Sequence, residues 1–281
     1  MDKLVTIGLP VRNGADRVEK TIEYLLAQTY KNIELIISDN DSTDETGRIC
    51  EEISSKDRRI KYFRQPENIG FVKNCAFLLS KANGEYFMWA SHDDWWHESF
   101  VEKMVRALGE DSKYGAAMSH FGVIRDGREG ILPTPGGEHN YTQASHYEVF
   151  KKMMKAKANP IYEFALYRTK VLRKIFSRLK PKCMEDTQIL ISEASLATRF
   201  YSVPELLHAK YRNPRPLRER HYLGEYYKDP YARTRYLYTM LTWFLTSPAI
   251  PIWRKILVFG PWFSRFWHFK RKIYNEIRAA V

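Results

Sequence analysis

The chain has 281 residues, 44% hydrophobic and 28% charged. That is enough apolar material for a substantial core, and it excludes a disordered or low-complexity chain. The formal net charge is +12, unevenly spread: residues 230–281 carry nine Lys/Arg and thirteen aromatics against one Glu. Cys50, Cys75 and Cys183 are odd in number and far apart, so a disulfide framework and a metal-ligand spacing are both excluded. With no basic segment leading into a long apolar run at the N-terminus, no signal peptide is expected and a reducing cytosol is.

Leu4 to Leu9 predicts a strand ending at Pro10. Asp16 and Glu19 suggest a capping box before Val18, Ile22, Leu25 and Leu26 at helical spacing. Ile33 to Ile37 predicts a second strand. Ser42 and Glu45 suggest a second capping box, before a helix marked by Thr46, Ile49, Cys50 and Ile53. Ile60 to Phe63 predicts a strand, and Phe71, Cys75, Leu78 and Leu79 a helix. Tyr86 to Ala90 reads as a buried strand, followed by a helix through Val101, Met104, Val105 and Leu108. Four strand–helix repeats predict an α/β fold, a Rossmann-like mainly parallel sheet flanked by helices. Beyond them, Gly115 to Ile124 is a strand candidate and Gly127 to Asn140 a Gly/Pro-rich loop. Ile161 to Arg168 is strand-like, Asp186 to Ala197 helix-like, and Arg199 to Val203 and Leu206 to Tyr211 predict two more strands. The sharpest change of composition falls near Asp229, which predicts a domain over 1–229 and a helical, aromatic and basic appendage over 230–281.

Ligands bind at the carboxyl ends of such parallel strands, and polar clusters fall there. Pro10-Val11-Arg12-Asn13-Gly14 follows the first strand. Ser38-Asp39-Asn40-Asp41-Ser42-Thr43-Asp44-Glu45 follows the second, with more acids than a helix cap needs. In Asn68-Ile69-Gly70-Phe71-Val72-Lys73-Asn74 the glycine permits close backbone approach, and Lys73 is a point charge for a phosphate. Ser91-His92-Asp93-Asp94 follows the fourth strand, where adjacent carboxylates suit a hard cation such as Mg²⁺ or Mn²⁺. Cys183-Met184-Glu185-Asp186 precedes a helix.

These five clusters, in this order, resemble the family 2 glycosyltransferases, inverting enzymes of the GT-A fold, over roughly Leu4 to Arg212. The Pro10–Asn13 turn, the Asp39–Asp44 loop, Asn68 with Gly70, Lys73 and Asn74, the Asp93-containing metal motif and the Glu185–Asp186 pair each match a family motif. Ser91 stands where the metal motif commonly has its first acid, and Asn40 where a second Asp is common. The resemblance implies a nucleoside-diphosphate-sugar donor held by Pro10, Val11, Arg12, Asn13, Asp39, Asp41, Asn68, Gly70, Lys73, His92 and Asp93. It implies a metal, Mg²⁺ or Mn²⁺, at Asp93 and Asp94, and Asp186 as general base beside Glu185. The implied enzyme is a hexosyltransferase acting on a hydroxyl of a saccharide or lipid-linked acceptor in cell-surface polysaccharide or glycan synthesis.

Three other readings compete. A dehydrogenase is excluded because Gly8 to Gly14 does not match Gly-x-Gly-x-x-Gly. A nucleic-acid binder accounts for the basic tail but not for acids at strand ends, so no nucleic acid is expected. A catalytically inactive carbohydrate- or nucleotide-binding relative is the third. In the tail, Tyr236 to Trp253 is an uncharged run long enough to span a bilayer, but Pro248 and Pro251 interrupt it. The aromatics and cations after it suit an anionic membrane surface, which predicts a cytoplasmic protein peripheral on the inner face of the membrane. Packing of the tail's aromatics into a helical subdomain is the alternative.

Overall fold

A computed structural model describes residues 2–125, 130–133, 140–154, 165–178, 186–212 and 231–278. The chain divides into two compact units. The first comprises Met1–Ala144, Ile161–Arg173 and Thr198–Asn213; the second comprises Ser145–Pro160, Lys174–Ala197 and Pro214–Val281. Residues 230–281 fall within the second unit, which also includes Asp186.

The first unit is a sheet with helices. Its strands are β1 (Val5–Val11), β2 (Ile33–Asp39), β3 (Ile60–Arg64), β4 (Tyr86–Trp89), β5 (Trp95–Trp96), β6 (Tyr114–Arg125), β7 (Leu132–Pro133), β8 (Leu166–Arg168) and β9 (Arg199–Arg212). The order is β3-β2-β1-β4-β8-β6-β9-β5, with β7 beside β6. The half β3-β2-β1-β4 is parallel, as the strand–helix repeats predict. The other half is mixed, with β8 antiparallel to β4 and β6, and β9 parallel to β6. Short connections cannot return a parallel strand, and helices α1 (Val18–Leu26), α2 (Thr46–Lys56) and α3 (Phe71–Lys81) make the crossovers in the parallel half. β1 and β2 are buried along their whole length, as a parallel sheet covered on both faces requires. Val5, Ile7, Leu9 and Val11 alternate into the same core as Ile22 and Leu25 of α1 and Met104 of α4 (Phe100–Glu110).

Three details differ from the sequence reading. β1 runs through Pro10 to Val11 instead of stopping at the proline. Its pairing with β4 ends at Gly8, so no ladder donor is needed at position 10 on that side. The two strands expected around Pro204 are one strand, β9. Its register against β6 shifts where Ser119 faces Val203 and His120 faces Leu206, leaving Pro204 and Glu205 unpaired in an irregularity that tolerates proline. The helix starts also differ: α1 is preceded by Arg17 and α2 by Glu45 rather than by the expected caps Asp16 and Ser42, and neither Arg17 nor Glu45 makes a side-chain cap bond. Ser42 and Asp44 instead bind the loop that follows β1.

The described part of the second unit is helical: α5 (His146–Met153), α7 (Asp186–Ala197), α8 (Ala232–Leu245), a 3-10 segment (Ile252–Val258) and α9 (Phe259–Arg278). A short helix, α6 (Thr169–Ile175), runs across the boundary in sequence between the two units. Ser145 and Glu148 form a full capping box at α5. The uncharged run from Tyr236 builds α8, whose Tyr236, Leu237, Met240, Trp243 and Phe244 are buried. Among the described residues, no helix is long and apolar enough to cross a membrane. Glu193 of α7 is fully buried and accepts bonds from Trp243 Nε1 at 2.6 Å, Arg178 Nη2 at 3.1 Å and Ser247 Oγ. Burial pushes its carboxyl up against the pull of those donors. This polar cluster ties α7 to α8, and nothing in the local sequence pattern announces it.

Candidate active site

The loops after β1, β2, β3 and β4 meet at the carboxyl edge of the parallel half. Asn13 and Asp41 have φ of 51° and 61°, and Gly70 has 82°. Asn and Asp tolerate this left-handed region better than other side chains, and Gly does so freely. The residue types at three of the predicted site positions are therefore required by the shape of the loops.

Side chains then bind the loops to one another. Asn13 N–H donates to Ser42 Oγ at 3.0 Å, while Asn13 Oδ1 accepts from Thr43 N–H at 2.9 Å. Gly14 N–H donates to Thr46 Oγ1 at 2.8 Å and Ala15 N–H to Asp44 at 3.2 Å. Partial burial raises the Asp44 carboxyl, but bonds from Thr46 and Ala15 outweigh it and hold it below the usual carboxylate range. Asn40 bridges onward: its Nδ2 donates to Asn68 Oδ1 at 2.9 Å and its Oδ1 accepts from Ile69 N–H at 2.9 Å. Asn74 joins from α3, accepting from Ser38 Oγ at 2.6 Å and donating to Ser38 O at 2.9 Å.

Asp39 is fully buried. Its Oδ1 accepts from Ser42 N–H at 2.9 Å and its Oδ2 from Tyr62 O–H at 3.1 Å. Burial, then the Asp39 charge, raises the Tyr62 phenol. Asp39 thus shapes the turn from within. Pro10 and Val11 are buried in β1, whereas Arg12, Asn68, Gly70 and Lys73 are exposed and Asp41 is half-buried.

After β4, Ser91, His92 and Asp93 are half-buried. Ser91 Oγ donates to Asp93 Oδ1. His92 lies against Gly14: a Cβ there would fall 2.3 Å from His92 Cδ2. The His92 carbonyl accepts from Thr21 Oγ1 at 2.9 Å. Asp94 differs from the expectation of a metal ligand. It is 4% exposed, and its Oδ2 lies 2.9 Å from His208 Nε2. The His208 ring stacks on Trp96 with centroids 4.2 Å apart. Burial holds the His208 imidazole below its ordinary value, against the pull of Asp94. Sequence reading missed His208, because it lies 114 positions away on β9 and carries no local motif.

Asp186 is the first residue of α7, in the second unit; Glu185 lies outside the described residues. Among the described residues, no group of three or more His, Cys, Asp or Glu side chains makes a metal site by itself. A half-buried Asp93 still fits Mg²⁺ or Mn²⁺, because such ions are commonly held by one or two carboxylates together with phosphate oxygens and water.

Solved structures that resemble this chain share its fold. Staphylococcus aureus TarS 1–349 in complex with UDP-GlcNAc superposes with a TM-score of 0.70 at 15% identity, covering 95% of this chain and 73% of that one. The mannosyltransferase PcManGT from Pyrobaculum calidifontis, in complex with GDP-Man and Mn²⁺, gives 0.59 at 18%, covering 100% and 75%. The fold is thus the GT-A type of α/β domain, with a helical C-terminal segment. The sequence model of glycosyl transferase family 2 matches residues 6–176, and the chain belongs to that family. Glycosyltransferase GlyA of Streptococcus pneumoniae is 34% identical over 110 residues, 39% of this chain and 16% of GlyA. An uncharacterized glycosyltransferase of Haemophilus influenzae is 32% identical over 129 residues, 46% of this chain and 40% of that protein. The matched stretch spans less than half the length of either relative.

Proposed function

We propose that the chain transfers a hexosyl group, with inversion, from a nucleoside-diphosphate sugar to a hydroxyl of a saccharide or lipid-linked acceptor, in cell-surface polysaccharide or glycan synthesis. The observation that carries this reading is the meeting of the loops after β1, β2, β3 and β4 at one sheet edge, with a half-buried Asp93 on the last of them and the exposed cations Arg12 on the first and Lys73 in the first turn of α3. Family membership supports it, as do the nucleotide sugars bound by TarS and PcManGT.

In this reading Pro10, Val11 and Asn13 form one wall of the nucleotide pocket, and the Asp39–Asp41 turn forms another. Asp39 acts by holding that turn. Asn68 and Gly70 open the way to α3, and Lys73 and Arg12 meet the diphosphate. A Mg²⁺ or Mn²⁺ held by Asp93 would supply neutralisation of charge on the diphosphate. Asp94 and His208 position the Asp93 segment from behind. Asp186, assigned by its motif position beside Glu185, accepts the acceptor hydroxyl proton. The acceptor oxygen bonds to the anomeric carbon as that carbon's bond to the diphosphate oxygen breaks. The diphosphate leaves with the electron pair, and one displacement from the opposite face inverts the centre. No second carboxylic acid is needed to protonate the leaving group, unlike in glycoside hydrolysis.

A thermal-shift panel of nucleoside diphosphates and their sugars, with and without Mn²⁺, tests the reading. A cognate diphosphate at about 100 times its Kd stabilises the native state by about 2.7 kcal/mol. Product formation from the stabilising donor separates an active transferase from an inactive relative. If no nucleoside diphosphate stabilises the protein, the reading fails.

A further inference from the structure

In the second unit, the 3-10 segment and α9 leave large apolar side chains in solvent. Ile252 is 84% exposed, Trp253 67%, Ile256 71%, Phe263 60%, Trp267 68% and Tyr274 64%. Scattered single exposures are ordinary, whereas a contiguous set of this size marks an interaction surface. The set on α9 is contiguous by helical geometry. At 100° per residue, positions 263, 267 and 274 fall on one side. Arg265, Phe269 and Ile273, which are buried, fall on another. The buried side is satisfied within the unit: Arg265 Nε donates to Met154 O at 2.7 Å, and Phe269 meets the Tyr236 ring edge-on at 6.3 Å. The helix is therefore amphipathic toward its own unit and apolar again toward solvent.

By the same geometry Lys270 and Arg271 border the exposed stripe, whereas Lys272 falls on the opposite side of the helix. Lys270, Arg271 and Lys272 are all exposed, and Lys270 Nζ sits 3.4 Å from the centroid of the Trp267 ring. Residues 230–281 contain one acid, Glu276. Three occupants compete for such a face. A second copy would bring the same cationic border against itself, which like-charge repulsion opposes. A polyanionic nucleic acid would meet the cations but leave the aliphatic Ile252 and Ile256 unused. A bilayer surface uses both, because indole and phenol rings sit at headgroup depth while Lys and Arg meet anionic headgroups.

We propose that the 3-10 segment and α9 form an interfacial docking surface for anionic phospholipid, lying along the bilayer without crossing it. The inference does not rest on the transfer reading, since lipid capture needs no donor sugar, and failure of either leaves the other standing.

The test is co-sedimentation of the full chain with phosphatidylcholine vesicles and with vesicles containing phosphatidylglycerol, at low and high salt. Partition to the anionic vesicles is expected to exceed that to neutral ones at least tenfold and to fall as salt rises, since one cation near an anionic surface contributes about fivefold. The triple variant Trp253→Ala/Phe263→Ala/Trp267→Ala removes exposed groups only, so its melting temperature should match wild type while its vesicle binding drops about tenfold or more. The triple variant Lys270→Gln/Arg271→Gln/Lys272→Gln should lose the preference for anionic vesicles. Equal capture by neutral and anionic vesicles overturns the proposal, as does aromatic truncation without effect on binding. Absence of vesicle binding alongside DNA binding or self-association, by gel shift or sedimentation, overturns it in favour of those occupants.

Discussion

Removal of His208 isolates the link between β9 and the segment carrying Asp93. The imidazole is 3% exposed, its Asp94 partner 4%, and the two are 2.9 Å apart. Substitution His208→Ala leaves a buried carboxylate without its donor, a change that costs about 3–5 kcal/mol. At about 2–4 °C per kcal/mol for a domain of this size, the expected fall in Tm is about 6–20 °C. His208→Gln restores an amide donor to Asp94 but not the stack on Trp96, so a loss of only about 1 kcal/mol is expected. Acid separates the two further. The folded-state pKa of His208 is depressed, so its contribution is fully present above the ordinary imidazole value of about 6.5. It is lost as pH falls below that value toward the depressed one, because the unfolded chain then binds more protons. The Gln variant lacks this component of acid sensitivity. Urea unfolding at pH 7.5 and pH 5.5, with donor binding measured on each variant, checks all three expectations. A His208→Ala variant within about 0.5 kcal/mol of wild type would refute the claim that this pair holds the site.

Asp186→Asn should lower kcat by about 10² to 10⁴ while donor affinity by calorimetry stays near wild type, because the base is lost and the shape kept. Asp93→Ala should weaken diphosphate binding and abolish its Mn²⁺ dependence, leaving free-nucleoside binding unchanged. Asp39→Ala should weaken nucleoside and diphosphate alike and cost about 1–3 kcal/mol per orphaned donor at Ser42 N and Tyr62 O–H; the opposite pattern between Asp39 and Asp93 would reverse the pocket's orientation. Gly14→Ala places a Cβ 2.3 Å from His92 Cδ2, so a loss of about 1–3 kcal/mol and weaker donor binding are expected, with wild-type affinity arguing against contact between the two loops.

What the sequence determined was the periodic part. Runs such as Val5 to Leu9 and Ile33 to Ile37 are buried at every position and free of polar side chains except Thr6 and Glu34, because both faces of a parallel strand are covered, and that pattern is local. The strand-end clusters were legible for the same reason: each motif lies within a few residues of its strand, and Asn13, Asp41 and Gly70 are the residue types that left-handed turns select. Tertiary structure decided the partners. Ser42 and Glu45 read as a capping box, yet Ser42 is taken by Asn13 N–H from another loop, which competes for the same oxygen. Asp94 beside Asp93 reads as a second metal ligand, yet a histidine 114 residues away takes its carboxylate. The uncharged run from Tyr236 reads as a span or a surface segment, yet α8 buries its Tyr236, Leu237, Met240, Trp243 and Phe244, while Trp253 at its end and Phe263, Trp267 and Tyr274 of the more charged α9 stay in solvent. Composition states how much apolar surface a segment carries. Which of it meets protein and which is left to solvent depends on neighbours that only the folded chain brings together.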